Sequence, residues 1–313
     1  MIYCLIGPTA CGKSSLAMSL AQSGSLGTVE IVSLDSAQIY RGMNIGTAKP
    51  SAEEQSRVPH HLIDCRDPHE SYSVAQFLRD TQAAIKEIRA RGHTPLLVGG
   101  TMLYFKALRE GIDDLPEVPP EVRTALAKEA AEVGWPALHR RLALVDPLTA
   151  RRLAPQDAQR ISRALEVWTH TGRTLSSFHR GTKDRMALSL DEAMSVIALQ
   201  PEDRRWIHTR IAKRFTEMMA AGFLEEVAAL RQREELHPEL PSLRTVGYRQ
   251  AWAHLSGQTD QQTFIDQAIA ATRQLAKRQI TWLRSFHNMT RLDASALSAE
   301  AMLRQIRETW TGP

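Results

Sequence analysis

The first fifteen residues carry the pattern that most restricts how this chain can fold. Gly7-Pro8-Thr9-Ala10-Cys11-Gly12-Lys13-Ser14 fits G-x-x-x-x-G-K-[ST]. Ile2 to Ile6 ahead of it is an apolar run of strand length, and Ser14 to Ala21 behind it sets Leu16, Ala17 and Leu20 at helical spacing. Strand, glycine-bounded loop and helix are the parts this motif needs. Gly7 and Gly12 can take backbone angles closed to residues with a side chain. The loop N–H groups can then converge on phosphate oxygens at a helix N-terminus. Lys13 adds a mobile positive charge, and the Ser14 hydroxyl can ligate Mg²⁺. The loop by itself does not say which phosphate it holds or what is done with it.

At 313 residues the chain is long enough for two domains and an ample core. Its 43% hydrophobic and 24% charged residues are those of a soluble globular protein. It has no apolar run of transmembrane length and no signal-peptide pattern, so a cytoplasmic protein without a membrane partner is expected. Cys4, Cys11 and Cys65 are odd in number and lack metal-ligand spacing, which fits reduced thiols. A net charge of +4 permits a polyanionic partner.

Val29 to Leu34 reads as a second strand, followed by Asp35. An acid at the carboxyl end of such a strand sits beside the ligand crevice, although a helix cap or a metal-water ligand would need the same residue. Asn44 to Pro50 is loop, and the adjacent His60 and His61 read as pocket lining or structure. Tyr72 to Arg91 is a helix with Ser73 as its cap, Gly92 as its stop, and Ala75, Leu78, Ala83 or Gln82, Ile85 and Ile88 on its buried side. Thr94 to Thr101 reads as a buried strand that runs into two glycines, Gly99 and Gly100, and Thr101. These glycines would let backbone approach a ligand, and Thr101 either faces that ligand or caps the next helix.

From Asp113 to about Asp191 the character changes: a linker-like stretch to Pro120, then helices at 120–133, 135–145, 148–153 and 157–171 without strands between them. Gly134 and Gly172 mark stops, and Arg180 to Arg185 is a polar loop. Arg160 and Arg163 share a helix face while Ile161, Leu165 and Trp168 face inward; a solvated face would look the same. Strand character returns at Ser195 to Leu199. The chain is therefore read as a helical insertion in an α/β core: 1–112 and 192–313 form the core, and 113–191 the insertion.

The last third is mostly helix. Arg204 to Ala221 buries Ile207, Ile211, Phe215 and Met218, and carries Arg210 and Arg214 one turn apart on another face. Phe264 to Phe286 is a long amphipathic helix begun by a Thr263–Asp266 capping box. Phe264, Ala268, Ala271, Leu275, Trp282 and Phe286 form one stripe, and Arg273, Lys277 and Arg284 lie opposite with Arg278 at the border. The absence of an interleaved acid favours phosphate-backbone contact over a merely solvated face. A last strand at 289–292 and a helix at 299–309 follow.

Seven blocks now stand in one order. They are 7–14; Asp-Ser-Ala-Gln-Ile-Tyr at 35–40; Asn-Ile-Gly-Thr-Ala-Lys-Pro at 44–50; Leu-Val-Gly-Gly-Thr-Met-Leu-Tyr at 97–104; Gln-Arg-Ile-Ser-Arg-Ala-Leu-Glu at 159–166; Arg-Thr-Val-Gly-Tyr-Arg-Gln at 244–250; and Thr-Arg-Gln-Leu-Ala-Lys-Arg-Gln-Ile-Thr-Trp-Leu-Arg at 272–284. Together they resemble the bacterial tRNA dimethylallyltransferases, also called tRNA isopentenyltransferases, over the chain to about Arg284. Cys11 and Ser14 stand where many members have Ser and Thr; Ser14 keeps its hydroxyl.

The resemblance implies a fold of the α/β class, a P-loop nucleotide-kinase-like parallel sheet core with an inserted all-helical domain that grips the tRNA anticodon stem-loop. It implies transfer of dimethylallyl from dimethylallyl diphosphate to N6 of the adenosine 3′ of the anticodon, in tRNAs reading codons that begin with U, with Mg²⁺ assisting and a monomer at work. Carried over position by position, Asp35 is the base, Thr101 lies near the leaving oxygen, and Arg214 is a further diphosphate candidate. Gly7, Pro8, Thr9, Ala10, Cys11, Gly12, Lys13 and Ser14 surround the diphosphate, and Ser14 is the metal ligand. Asp35, Ser36, Ala37 and Gln38 meet the flipped base. The other tRNA positions are Thr101, Arg123, Gln159, Arg160, Ile161, Ser162, Arg163, Arg244, Thr245, Val246, Gly247, Tyr248, Arg249, Lys277, Arg278, Gln279, Ile280, Thr281, Trp282, Leu283 and Arg284. The blocks do not locate the wall that holds the isoprenoid.

Two other classes compete. A kinase using ATP would want a metal-binding acid where the strand at 96–99 ends in Gly-Gly-Thr, and would have little use for basic helices. A non-enzymatic P-loop RNA-binding protein would not place Asp35 beside its phosphate loop.

Overall fold

β1 (Ile2–Ile6) lies inside a sheet of six parallel strands with the order β3-β2-β4-β1-β5-β6. Its partners there are β2 (Val29–Leu34), β3 (His60–His61), β4 (Thr94–Gly99), β5 (Met194–Leu199) and β6 (Thr290–Leu292). This is a computed structural model, and it describes residues 1–113, 115–178 and 194–312. Asp114 and the polar loop read at Arg180 to Arg185 lie outside the described residues.

The inner strands are near-continuous apolar runs, as parallel strands covered on both faces must be; all six residues of β2 are buried. Register brings Leu34 and Ile6 to either side of Gly99. A Cβ on Gly99 would stand 2.3 Å from the Leu34 carbonyl oxygen. Gly99 therefore lets two strands meet, and it also lines the cavity described below.

The chain divides into two compact units, Met1–Lys106 with Ser189–Pro313, and Ala107–Leu188. In the first, α1 (Lys13–Gln22), α3 (Val74–Ala90), α10 (Arg204–Ala220), α13 (Gln261–Ser285) and α14 (Ala299–Thr311) are the main helices. The shorter α2 (Ala52–Arg57), α11 (Phe223–Arg231) and α12 (Tyr248–Leu255) link them, and α4 (Met102–Glu110) carries the chain from the first unit into the second. One core lies under α1, where Leu16 and Leu20 meet Leu5, Ile306 and Trp310. Tyr3 stacks near Trp310 and donates to its carbonyl at 3.2 Å, across 307 positions of sequence. A second core gathers Phe215, Phe223, Tyr248 and Phe264. Among the described residues no helix is long and apolar enough to cross a membrane.

The second unit is helical: α5 (Pro120–Val133), α6 (Trp135–Val145), α7 (Pro147–Ala150), α8 (Ala158–Thr171) and α9 (Leu175–Phe178). Gly172 ends α8 with φ 68°, the left-handed stop its position required. Its core is Leu126, Leu138, Leu142, Ile161 and Leu165.

Several sequence expectations shift. The buried side of α3 is Phe77, Leu78, Thr81, Ala84, Ile85 and Ile88, and Ala83 is exposed. The stripe runs through Phe77 because the largest side chain takes the deepest position, where it stacks on Tyr104. The helix read at 148–153 is α7 alone; a tight turn at 151–153 follows, and Ala154 precedes Pro155, which disfavours helix. α13 starts before the Thr263 box, because Asp260 accepts the Thr263 N–H at 2.7 Å and serves as cap. Its buried residues are Phe264, Ala268, Ala276 and Leu283, while Trp282 keeps 37% of its surface exposed. Met218 of α10 is half-buried.

At the start of β2, Glu30 is buried beside an arginine and two histidines. Arg91 donates twice at 2.9 Å, and His61 and His93 ring nitrogens lie 2.6 Å from its two oxygens. Bonds from Arg91 above all, opposed by burial and reinforced by both histidines, hold its carboxyl down at about 2 from an ordinary 4.5. A depressed carboxylate contributes stability above the unfolded value and loses it as pH falls through the folded one. Urea denaturation should lose up to about 3 kcal/mol of stability through this group between pH 4.5 and 2, and Glu30→Gln should flatten the slope in that window. An unchanged slope would remove Glu30 as its source.

Candidate active site

The loops after β1, β2 and β4 open at one edge of the sheet, the place where open α/β sheets bind ligands. The loop of residues 7–12 leads into α1. Only one of its end glycines works as expected. Gly12 has φ 97°, but Gly7 is needed for space: a Cβ there would meet the Leu199 oxygen at 2.7 Å and Cys11 Sγ at 2.9 Å. Ala10 takes a left-handed φ of 61°, which costs an L-residue about 1 kcal/mol. Its carbonyl accepts from Arg210 Nε at 2.8 Å, and that guanidinium rests over Trp206. Lys13 Nζ donates to the Pro8 carbonyl at 2.6 Å and lies 3.8 Å from Cys11 Sγ. Ser14 is exposed on the first turn of α1.

Asp35 follows β2. Its Oδ1 accepts the Ala37 N–H at 2.9 Å, and residues 36–39 form a turn, so it caps no helix. The Thr101 carbonyl takes the Tyr104 and Phe105 N–H groups and so opens α4. The Thr101 hydroxyl is occupied elsewhere: it accepts the Ser36 N–H at 3.0 Å and donates to Ser36 Oγ at 3.3 Å. Thr101 is thus tied to the residue after Asp35. Gln38 has its amide fixed from both ends, by Ser33 Oγ on its oxygen and by the Thr47 and Ala48 carbonyls on its nitrogen. Arg214 Nη2 reaches the Thr47 carbonyl at 3.5 Å. Burial lowers its pKa, and the charge of Asp35 opposes that shift.

A cavity of about 540 Å³ collects these groups. Thr9, Ala10, Lys13, Ser14, Asp35, Ser36, Ala37, Gln38, Thr101 and Arg214 line it. So do Arg244, Thr245, Val246, Gly247, Arg278, Gln279 and Trp282. Ile211, Phe215, Met218, Phe223 and Leu275 give it an apolar wall. No motif announced that wall; its residues come from the ordinary helical stripes of α10, α11 and α13. A shallower hollow beside it is lined by Gln274, Lys277, Arg278, Thr281 and Trp282. His60, whose pKa burial lowers, lines the cavity, and His61 bonds Glu30.

Some residues carried over as tRNA contacts are packing residues. Ile161, Tyr248 and Leu283 are fully buried, so only their backbone could meet a ligand. Tyr248 donates instead to Glu226 at 2.6 Å. Arg249 and Arg284 are exposed and Ile280 is half-buried. Arg123, Gln159, Arg160, Ser162 and Arg163 belong to the helical unit. There the buried Glu166 organises three of them: Ser162 Oγ donates to it at 2.7 Å, and Arg123 and Arg163 lie 3.6 and 3.8 Å from it. Arg160 pairs with Asp157, and Gln159 is exposed.

Glu226 of α11 was missed from sequence, as a Glu in an ordinary helical run gives no signal. It accepts the N–H groups of Asn44, Ile45 and Gly46 at 2.8, 2.7 and 3.2 Å. Gly46 has no room for a Cβ, which would stand 2.3 Å from the Phe223 ring. Lys49 closes the same loop, donating to the Tyr40 carbonyl, Asn44 and Asp64 with its own side chain 3% exposed.

A phosphate-type loop after a central strand, an acid after the next strand and an apolar-walled cavity define the class: an α/β protein of P-loop type with a helical unit. A family model described as IPP transferase matches residues 38–286, and the chain belongs to that family. It is 58% identical over 91% of its length to the tRNA dimethylallyltransferase of Bordetella petrii, covering 89% of that protein. It is 56% identical over 96% of its length to that of an Acidovorax species, covering 94%. Among solved structures, the full-length tRNA isopentenylpyrophosphate transferase of Bacillus halodurans matches with a TM-score of 0.68 at 33% identity, covering 99% of this chain and 95% of that one. A eukaryotic dimethylallyltransferase acting on tRNA matches with a TM-score of 0.78 at 25% identity, covering 97% and 77%.

Glu226→Ala would leave three loop N–H groups and the Tyr248 hydroxyl without their acceptor. Urea denaturation should show a loss of at least about 2 kcal/mol. A loss below about 0.5 kcal/mol would mean that the loop is held by other contacts.

Proposed function

We propose that this chain transfers the dimethylallyl group of dimethylallyl diphosphate to N6 of the adenosine immediately 3′ of the anticodon, in tRNAs that read codons beginning with U. The observation that carries the reading, beside membership of the family, is the shared cavity: the phosphate-type loop, the Asp35 carboxylate and an apolar wall line the same space.

The chemistry follows from the groups. N6 of adenine is a poor nucleophile because its lone pair is delocalised into the ring. As the N6–C1 bond forms, the C1–O bond breaks, diphosphate leaves with the electron pair, and N6 sheds a proton. Asp35 Oδ1 is held by the Ala37 N–H, which leaves Oδ2 to accept that proton. Lys13, Arg214 and the loop N–H groups meet the charge that builds on the leaving oxygens. Thr101 supports both ends by fixing Ser36 and lining the cavity. Met218, Phe223 and Leu275 offer the isoprenoid an apolar wall. Ser14, exposed on the first turn of α1, would offer a Mg²⁺ ion its hydroxyl, an oxygen donor of the kind that ion takes. When bound, the ion would neutralise charge on the diphosphate. The cations of α13 and those around Glu166 would take RNA phosphates. A single-stranded loop lets the base leave its stack cheaply.

Labelled dimethylallyl diphosphate, ATP and unmodified tRNA with adenosines in the anticodon loop provide the test. Label should pass from the prenyl donor to tRNA. Transfer from ATP to a small molecule, or none to tRNA, would overturn the reading. Asp35→Ala should lower kcat by about 10²-fold or more while tRNA affinity stays within about threefold. Loss of tRNA affinity alone would remove Asp35 as the base.

A further inference from the structure

We infer that Gln279 is a positioning residue that couples RNA held on α13 to the diphosphate grip; the inference rests on the function proposed above. Gln279 lies between Lys277 and Arg278 on one side and Thr281 on the other, in the basic stretch of α13. Its side chain turns to the sheet edge and bonds two loops at once. Oε1 accepts the Thr9 N–H at 2.9 Å, and Nε2 donates to the Gly100 carbonyl at 2.8 Å. The amide can stand only this way round, since reversal would face donor with donor and acceptor with acceptor.

The joint has no slack. A Cβ on Gly100 would stand 2.8 Å from Gln279 Nε2 and 2.9 Å from the Gly7 oxygen. Thr9 belongs to the phosphate-type loop. Gly100 precedes Thr101, whose hydroxyl holds the Ser36 N–H beside Asp35. One amide therefore reaches both the diphosphate grip and the support of the base. Among the described residues no other α13 side chain bonds either loop.

A helix drawn onto RNA by Lys277 and Arg278 would take up one pose, and Gln279 would pass that pose to Thr9 and Gly100. Linkage is reciprocal, so a bound prenyl diphosphate must tighten RNA by the same factor. Gln279 would then contribute to RNA affinity only when diphosphate is present, unlike a direct RNA contact.

The test titrates labelled anticodon stem-loop RNA with and without a dimethylallyl diphosphate analogue that carries sulfur at the bridging position. In the native chain the analogue should tighten RNA by about tenfold. Gln279→Met keeps length and packing but neither hydrogen bond; the analogue should then tighten RNA by less than about twofold, with RNA affinity alone changed by less than about threefold. Should that variant fail a circular-dichroism melt, Gln279→Leu, which is also uncharged and makes neither hydrogen bond, takes its place with the same thresholds. Lys277→Ala should do the opposite, weakening RNA while leaving the coupling. Equal coupling in native and variant chains, no coupling in the native chain, or loss of RNA affinity without analogue would each overturn the inference. Native turnover with the true donor is measured in parallel: without it the proposed function falls, and with it a failed coupling test sinks the role of Gln279 alone.

Discussion

No side chain fits where β1 and β4 end. Gly99 lies against the Leu34 backbone, and Gly7 against Leu199 and Cys11. Gly100 lies against Gly7 and Gln279. Each glycine meets at least one backbone atom, so no rotamer change alone makes room for a Cβ. This closeness makes the rest possible. It brings the loops carrying Thr9, Asp35 and Thr101 within hydrogen-bond reach of shared partners, and lets a helix remote in sequence insert one amide between two of them.

Around that edge, polar groups partly or wholly removed from water are held by several partners each, as the cost of desolvating them demands. Glu226 takes three backbone N–H groups and a phenol; Lys49 takes a carbonyl, an amide and a carboxylate. Both act on residues 44–49. The Thr47 and Ala48 carbonyls at the end of that loop fix the amide of Gln38, and Thr47 also meets Arg214. The loop is thus a frame for two cavity-lining groups and is itself framed by α11.

How much of this could be read beforehand depended on the kind of signal. Local signals succeeded: Ser73 does cap its helix, Gly134 and Gly172 do stop theirs, and the strands at 2–6, 29–34 and 94–99 stand where apolar runs placed them. Where two local signals competed, the reading slipped. Thr263 looked like a cap until Asp260 took that place, and Ala83 looked buried until Phe77 set the phase of α3. Tertiary partners were beyond reach. Nothing local marks Glu226, Glu166 or Arg210 out from other charged residues on helices, because what distinguishes each is a partner far away in the sequence or buried beside it. The apolar cavity wall was hidden for the same reason: Phe215 and Leu275 obey the same spacing as any core residue.

The bond from Tyr3 to Trp310 has a bearing on synthesis. The strand that feeds the phosphate-type loop is paired on one side by β4 and on the other by β5, and its first residues are covered by α14. That cover is made late: a ribosome adding roughly 5–20 residues each second needs on the order of 15–60 s to travel the 307 positions between Tyr3 and Trp310. β4 and β5 are made before it, so the edges of the run 2–6 have their partners while the α14 cover is still absent. The earliest-made part of the site is thus among the last to be enclosed, and a nascent chain of this topology has reason to depend on chaperones.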